Sequence, residues 1–173
     1  MGDLSILAGA YKGTRISSPV SKEIRPTLAR VRKSLFDILG DLSGCSVLDL
    51  FAGTGALGFE AASRGASSIT FLEMDKKLSD SIQKNSLLFH ETDIQVKTED
   101  AFRFLERSEN QFALILADPP YGAIDLDLLL GSARKKVKGG GRLVVESAVR
   151  EEWRPSESKI RTYGDTQLSF IDL

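Results

Sequence analysis

The sequence predicts an α/β fold, a doubly wound and mostly parallel sheet, and three observations carry that expectation. From Ser46 onward, short apolar runs alternate with amphipathic segments, the order that folds as strand, crossover helix and parallel strand. A glycine pattern, Gly53-x-Gly55-x-x-Gly58, stands where the first of those strands should turn into its helix. Finally, 173 residues, 42% hydrophobic and 27% charged, suffice for one substantial core and leave no room for a second full domain.

In chain order, Leu4 to Ala8 and Thr14 to Ser17 read as a short hairpin, parted by Gly9 and Lys12-Gly13. Arg25-Pro26-Thr27 then opens a helix whose apolar positions Leu28, Val31, Leu35, Phe36, Ile38 and Leu39 recur at helical spacing until Gly40. Strands are expected at Val47 to Phe51, Ile69 to Leu72, Ile94 to Lys97, Phe112 to Ala117 and Leu143 to Glu146. Helices are expected between them, near Ala56 to Ser63, Lys76 to Phe89, Ala101 to Glu106 and Leu126 to Val137. Lys135, Lys136 and Lys138 before Gly139-Gly140-Gly141 read as a helix C-terminus favoured by the macrodipole and stopped by glycine. Lys159 to Tyr163 and Gln167 to Ile171 flank the turn Gly164-Asp165 and should close one edge of the sheet as an antiparallel hairpin. Residues 1–40 thus form a hairpin-helix appendage on a main domain of residues 41–173.

Composition removes several classes of function. One cysteine, Cys45, cannot form an internal disulfide or a thiolate cluster, and the sole histidine, His90, does not rescue a metal site, so no metal is expected. There is no basic segment followed by an apolar stretch at the N-terminus and no window near the ~18 apolar residues of a membrane span. A cytoplasmic, soluble protein is expected. The net charge of −1 hides an asymmetry: residues 1–39 hold seven Lys/Arg against three Asp/Glu, and the remainder 16 against 21. A segment of +4 on a body of −5 suggests a local contact with a polyanion through Lys12, Arg15, Arg25, Arg30, Arg32 and Lys33. A solvated helix face would account for the same charges.

The chemistry is written most clearly in Asp118-Pro119-Pro120-Tyr121, directly after the apolar run Phe112 to Ala117. Proline has no N–H, so the Pro-Pro step leaves carbonyl oxygens and the Asp118 carboxylate as a cluster of acceptors beside an aromatic ring. That set suits a flat ring bearing an NH2 group, although a plain strand stop also explains Pro-Pro-Tyr. The glycine loop, with Glu73 at the ~20-residue offset of a ribose-binding acid, suits NAD as well as S-adenosylmethionine. Asp49 just before the turn favours the second. A carboxylate there repels pyrophosphate and attracts the ammonium and sulfonium of S-adenosylmethionine.

Together these residues resemble the class I methyltransferases with a Rossmann-like fold. The resemblance implies a donor loop from Asp49 to Gly58 with Phe51, Ala52, Gly53 and Gly55 on the cofactor, Glu73 on its ribose with Met74 beside it, and Asp100-Ala101 near adenine. The tetrad resembles the signature of amino-methylating members. Ile24-Arg25-Pro26-Thr27, the helix Arg30-Val31-Arg32 with Ser34-Leu35-Phe36, the run Leu72-Glu73-Met74-Asp75 and the ending Tyr163-Gly164-Asp165-Thr166 are similar to the bacterial small-subunit rRNA guanine-N2 methyltransferase D family. That family implies methylation of guanine N2 in 16S rRNA, with S-adenosylhomocysteine as product; the RNA is naked or assembled, and nothing in the sequence demands more than a monomer. It also implies RNA contact through the N-terminal arm, including Thr27.

Other readings remain open at this point. The tetrad does not distinguish guanine N2 from adenine N6 in DNA or RNA; an NAD-linked oxidoreductase and a non-catalytic RNA-binding module share the fold class. Pyrimidine C5 chemistry is disfavoured, because Cys45 precedes the first core strand and should lie at the far edge from the site. His90 reads as a helix-end residue, and Trp153 as a cover for the sheet edge or, as a second choice, an RNA-stacking ring.

Overall fold

The computed structural model describes residues 2–19 and 26–173, with the backbone alone for residues 2, 3 and 26–28. Arg25 lies outside the described residues, as does the side chain of Thr27. The chain opens with β1 (Gly2–Ser5) and β2 (Arg15–Ser18), paired antiparallel, followed by α1 (Pro26–Leu39). Proline opens α1 because its fixed φ suits a first helical turn and its missing N–H would have no partner there.

The body alternates β3 (Ser46–Leu50), α2 (Ala56–Ser63), β4 (Ser68–Glu73), α3 (Lys76–Ser86), β5 (Asp93–Thr98), α4 (Ala101–Arg107), β6 (Phe112–Ala117), α5 (Leu126–Arg134) and β7 (Val137–Ala148). A short 3-10 turn (Val149–Glu151) leads to β8 (Ser158–Tyr163) and β9 (Thr166–Asp172). The seven strands β3 to β9 lie in the order β5-β4-β3-β6-β7-β9-β8. The first five are parallel; β9 runs antiparallel between β7 and β8, as the tail pattern predicts. The chain reverses its direction of progress between β3 and β6, and open α/β sheets bind ligands at such a switch point.

Side chains alternate across the sheet and so build two cores. Val47, Leu114, Leu116, Val144 and Leu168 face one side, where α1, α2 and α3 supply Val31, Leu35, Phe36, Phe59, Ala62 and Ile82. Leu48, Leu50, Ile115, Ala117, Leu143 and Val145 face the other, against Phe104 and Leu105 of α4 and Leu126 and Leu129 of α5.

The N-terminal hairpin is fastened to this body by a buried carboxylate. Glu60 of α2 is fully buried and accepts the Leu7 and Ala8 N–H groups at 2.8 and 3.1 Å. It also takes Arg64 Nε at 3.0 Å and sits 3.8 Å from Arg32 Nε. Arg32 is only 7% exposed and donates from Nη2 to the Ser5 carbonyl at 2.8 Å. This corrects the expectation that Arg32 faces RNA: its charge is taken up by Glu60 and the hairpin. Burial lowers its pKa and Glu60 opposes that shift.

Two element ends also differ from the sequence pattern. α3 stops at Ser86, because Leu88 and Phe89 turn back by N–H bonds to Asn85 and Ser86. Phe89 is 1% exposed and stacks on Phe59 with centroids 4.6 Å apart, so its apolar character reflects tertiary packing and not a further helical turn. α5 ends at Arg134, with Lys135 at its C-cap; Lys138 and the three glycines instead belong to β7. There they form an irregularity, since Phe112 pairs with Val137 but Leu114 with Arg142. A Cβ on Gly141 would stand 2.7 Å from the Ala113 carbonyl, so the glycines let β7 lie close to β6.

Candidate active site

At the carboxyl ends of β3, β4, β6 and β7 lies a cleft of about 530 Å³. Phe51, Leu72, Glu73, Met74, Glu99, Asp100 and Ala101 line it from the ends of β3, β4 and β5, and the tetrad Asp118 to Tyr121, Ile124 and Glu146 from the side of β6 and β7. Five of these residues are acidic, and among the described residues no lysine or arginine lines the cleft.

The loop after β3 owes its path to three local features. Phe51 has φ +59, a left-handed conformation that costs a non-glycine residue about 1–2 kcal/mol and is held only where the surroundings enforce it. The Glu73 carboxylate is one such constraint: it accepts Gly53 N–H at 2.7 Å and Asp75 N–H at 2.8 Å, tying the loop to the end of β4. A further lone pair on each oxygen leaves it able to accept hydroxyls from the cleft as well. Gly58 opens α2 so near β4 that a Cβ there would meet the Phe71 ring at 2.2 Å.

Asp49 departs from expectation. It is 1% exposed, absent from the cleft wall, and its Oδ2 accepts Gly58 N–H at 2.8 Å. Burial raises its pKa well above the carboxylate range despite that hydrogen bond, and Asp118 and Glu73 add repulsion. It braces the loop and does not face the cleft, whereas sequence reasoning had it attract a cationic ligand. Ala52, Gly53 and Gly55 shape the loop behind that wall. Asp100 caps α4 by accepting Arg103 N–H at 2.9 Å, which aims the start of that helix at the cleft, and Ala101 is packed beneath it. Met74 is 72% exposed at the rim.

The tetrad leaves β6 as a turn closed by Ala123 N–H on the Pro120 carbonyl at 3.2 Å. Tyr121 is pinned from two strands: its hydroxyl donates to Glu146 Oε1 at 3.0 Å and lies 3.3 Å from Thr166 Oγ1. Glu151 ties the next residue, accepting Gly122 N–H at 2.9 Å with one oxygen and Ala148 N–H at 2.7 Å with the other. Burial and the nearby acids raise the Tyr121 pKa, so the ring stays a neutral phenol.

Glu146 is the site residue that sequence reasoning missed. It is 8% exposed, and the visible signal is an acid closing the apolar run Leu143-Val144-Val145. Burial, then Asp118, pushes its pKa up to about 8 from an ordinary 4.5. The folded chain therefore holds a proton that the unfolded chain releases near 4.5, so this stabilisation is complete below that pH and is lost as pH rises through about 8. Denaturant titrations from pH 5 to 9 are expected to show the wild type losing stability relative to Glu146→Gln; parallel curves would refute the assignment.

The described bases of the N-terminal arm stand apart from the cleft. Lys12, Arg15, Arg30 and Lys33 are exposed, and Lys33 pairs with Asp37 at 2.6 Å. None of them lines the cleft. Of the remaining singletons, Trp153 packs against the α5 side of the sheet and donates to Asp127 at 2.9 Å, His90 sits in the turn after α3, and Cys45 just precedes β3.

Strand order, glycine loop and a tetrad at the switch point define a class I methyltransferase fold. The chain belongs to the family described as Conserved hypothetical protein 95, whose model matches residues 4–172. It is 36% identical over 125 residues to ribosomal RNA small subunit methyltransferase D of Haemophilus influenzae, covering 69% of this chain and 65% of that protein. The Escherichia coli K12 protein of the same name is 36% identical over 121 residues, covering 69% and 61%. The aligned region thus spans just under two thirds of those relatives. Among solved structures, a hypothetical protein of Thermus thermophilus superposes with TM-score 0.83 at 28% identity, covering 98% of this chain and 99% of the other.

Proposed function

We propose that this protein is an S-adenosylmethionine-dependent RNA methyltransferase that modifies the exocyclic N2 of a guanine in 16S rRNA, working in the cytoplasm as a monomer. The observation that carries this reading is the acidic cleft wall, which among the described residues carries no lysine or arginine. Such a wall attracts a sulfonium and an ammonium and repels the pyrophosphate of NAD. Family membership and the relatives' names support the ribosomal substrate.

The cofactor supplies an electrophilic methyl group and departs as S-adenosylhomocysteine. Everything else falls to the chain. Glu73 and Met74 would hold the ribose side, Asp100 and Ala101 the adenine side, and the loop from Phe51 to Gly55 the methionine end. A guanine N2 lone pair is delocalised into its ring and is a poor nucleophile. Asp118 and the Pro119 carbonyl are suited to accept both N–H bonds, favour a pyramidal nitrogen and aim its lone pair. Tyr121, already pinned through its hydroxyl, offers a fixed face on which a splayed base stacks. Alignment of this kind is worth on the order of 7–11 kcal/mol in well-oriented systems. After transfer, the methylated nitrogen gives its extra proton to Asp118 or water.

Residues 1–40 are proposed to act as the RNA-contacting appendage of a methyltransferase domain at 41–173, with Lys12, Arg15, Arg30 and Lys33 on phosphates and Arg25 and Thr27 alongside them. Arg30→Glu is expected to weaken RNA binding and flatten its salt dependence without changing S-adenosylhomocysteine affinity. A fall in both affinities in filter-binding and calorimetric titrations would instead mark a structural role.

The test of the whole reading is methyl transfer from labelled S-adenosylmethionine to small ribosomal subunits from cells lacking this protein, followed by nucleoside identification. N2-methylguanosine supports the reading. N6-methyladenosine would retain the cleft chemistry and overturn the base, and NAD binding without S-adenosylhomocysteine binding would overturn the enzyme class.

A further inference from the structure

We infer that Glu146 is the residue that selects guanine, by accepting the N1–H of the base whose N2 amine Asp118 holds. The inference rests on the guanine-N2 reading of the cleft and adds a specificity residue to it. Guanine presents N1–H and N2–H2 side by side, two adjacent donors, whereas adenine presents its amine beside N1, an acceptor. A site for guanine N2 therefore needs a second acceptor next to the one that takes the amine. Glu146 meets that requirement by position. It lines the same cleft as Asp118, on the neighbouring strand, where Ala117 at the end of β6 is paired with Val145 of β7. The two acids are close enough that the Asp118 charge raises the proton affinity of Glu146.

One of its two oxygens is fixed by the contact that pins Tyr121. The Tyr121 hydroxyl donates to Oε1 at 3.0 Å, and Thr166 from β9 supports that hydroxyl at 3.3 Å. With Oε1 so engaged, Oε2 is the oxygen left to serve the cleft. At 8% exposure the group keeps its proton up to about pH 8 in the free protein, so that proton passes to solvent when Oε2 accepts from the base. A donor from the base favours the charged form and so offsets the cost of that ionisation on binding.

Glu146→Gln reverses the polarity of this position while retaining its shape. The Tyr121 hydroxyl still requires an acceptor, so the amide oxygen stays at the Oε1 place and the NH2 group turns to the cleft as a donor. It then opposes guanine N1–H and suits a purine whose N1 is an acceptor. 2-Aminopurine is that purine: it keeps the N2 amine and lacks the N1 proton.

The experiment compares kcat/KM for small subunits reconstituted with guanine or with 2-aminopurine at the modified position, for the wild type and Glu146→Gln. Intrinsic differences in amine reactivity cancel in the ratio of ratios. The wild type should prefer guanine, and the variant should shift that preference toward 2-aminopurine by about 10- to 100-fold, the range of a hydrogen bond to a charged group. S-adenosylhomocysteine affinity should not move. An unchanged preference in a folded variant, or a wild type that ignores the loss of N1–H, overturns the inference; the second comparison requires no variant to fold. N6-methyladenosine from the wild type would instead show that the guanine reading had failed, and this inference with it.

Discussion

Asp118→Ala is expected to reduce kcat/KM for methyl transfer by at least 10²- to 10³-fold while leaving S-adenosylhomocysteine affinity close to wild type. The magnitude follows from the loss of one preorganised group acting on the reacting atom, typically about 2.7–4 kcal/mol. Binding of the cofactor should survive, because the Gly53 N–H is held by Glu73 and the Gly58 N–H by Asp49, neither of which involves Asp118. The folded state should survive too, since Asp118 lies exposed in the turn after β6. Asp118→Asn is the informative companion: it keeps an acceptor oxygen at similar reach and should retain more activity than alanine. Single-turnover transfer under saturating cofactor separates the chemical step from RNA binding. Equal rates for wild type and Asp118→Ala would remove Asp118 from the chemistry.

Glu60→Ala is expected to be the most destabilising of the substitutions considered, by about 3–5 kcal/mol, the cost of removing one partner from a buried ion pair. Glu60 is fully buried, and its loss removes the one carboxylate shared by Arg32, Arg64 and the N–H groups of Leu7 and Ala8, with Arg64 keeping only Asp37 at 3.5 Å. Replacing both charges, as in Glu60→Leu with Arg32→Met, should recover part of the loss, because the pair's desolvation cost disappears with it. Denaturant unfolding measures this directly, and it separates two views of Arg32: as an RNA contact its removal would spare stability, whereas as the hairpin's anchor it would not. A stability change below about 1 kcal/mol for Glu60→Ala, the level of an exposed ion pair, would show that the hairpin is held by its apolar contacts, Ile6 and Ile16 against the body, and not by this clasp.

How much was legible depended on whether the relevant contacts were local. The switch from hairpin and helix to alternating strands and helices could be read because period-2 and period-3.6 patterns are properties of neighbouring residues. The tetrad and the glycine loop were legible for the same reason: a proline's missing donor and a glycine's missing Cβ act where they stand. Asp49 and Arg32 were placed in the right elements and given the wrong partners. An acid before a glycine turn and an arginine in a basic helix look alike whether they face solvent or core. Phe89 and the Gly139 to Gly141 run misled in the opposite sense, since one looked like a further helical turn and the other like a helix stop.

The sequence by itself determined the fold class, the place of the cleft at the strand ends and the cluster of acceptors at its Asp-Pro-Pro-Tyr corner, because each rests on backbone preferences of adjacent residues. Only the tertiary structure decided which charges are neutralised inside the protein and which are offered to ligands. Glu60 of α2 meets Arg32 of α1, and Glu146 meets Tyr121 across 25 residues, through strand and helix packing that no short-range pattern encodes. The energy of a charge depends on its surroundings far more than on its neighbours in the chain, and those surroundings exist only after the sheet has formed.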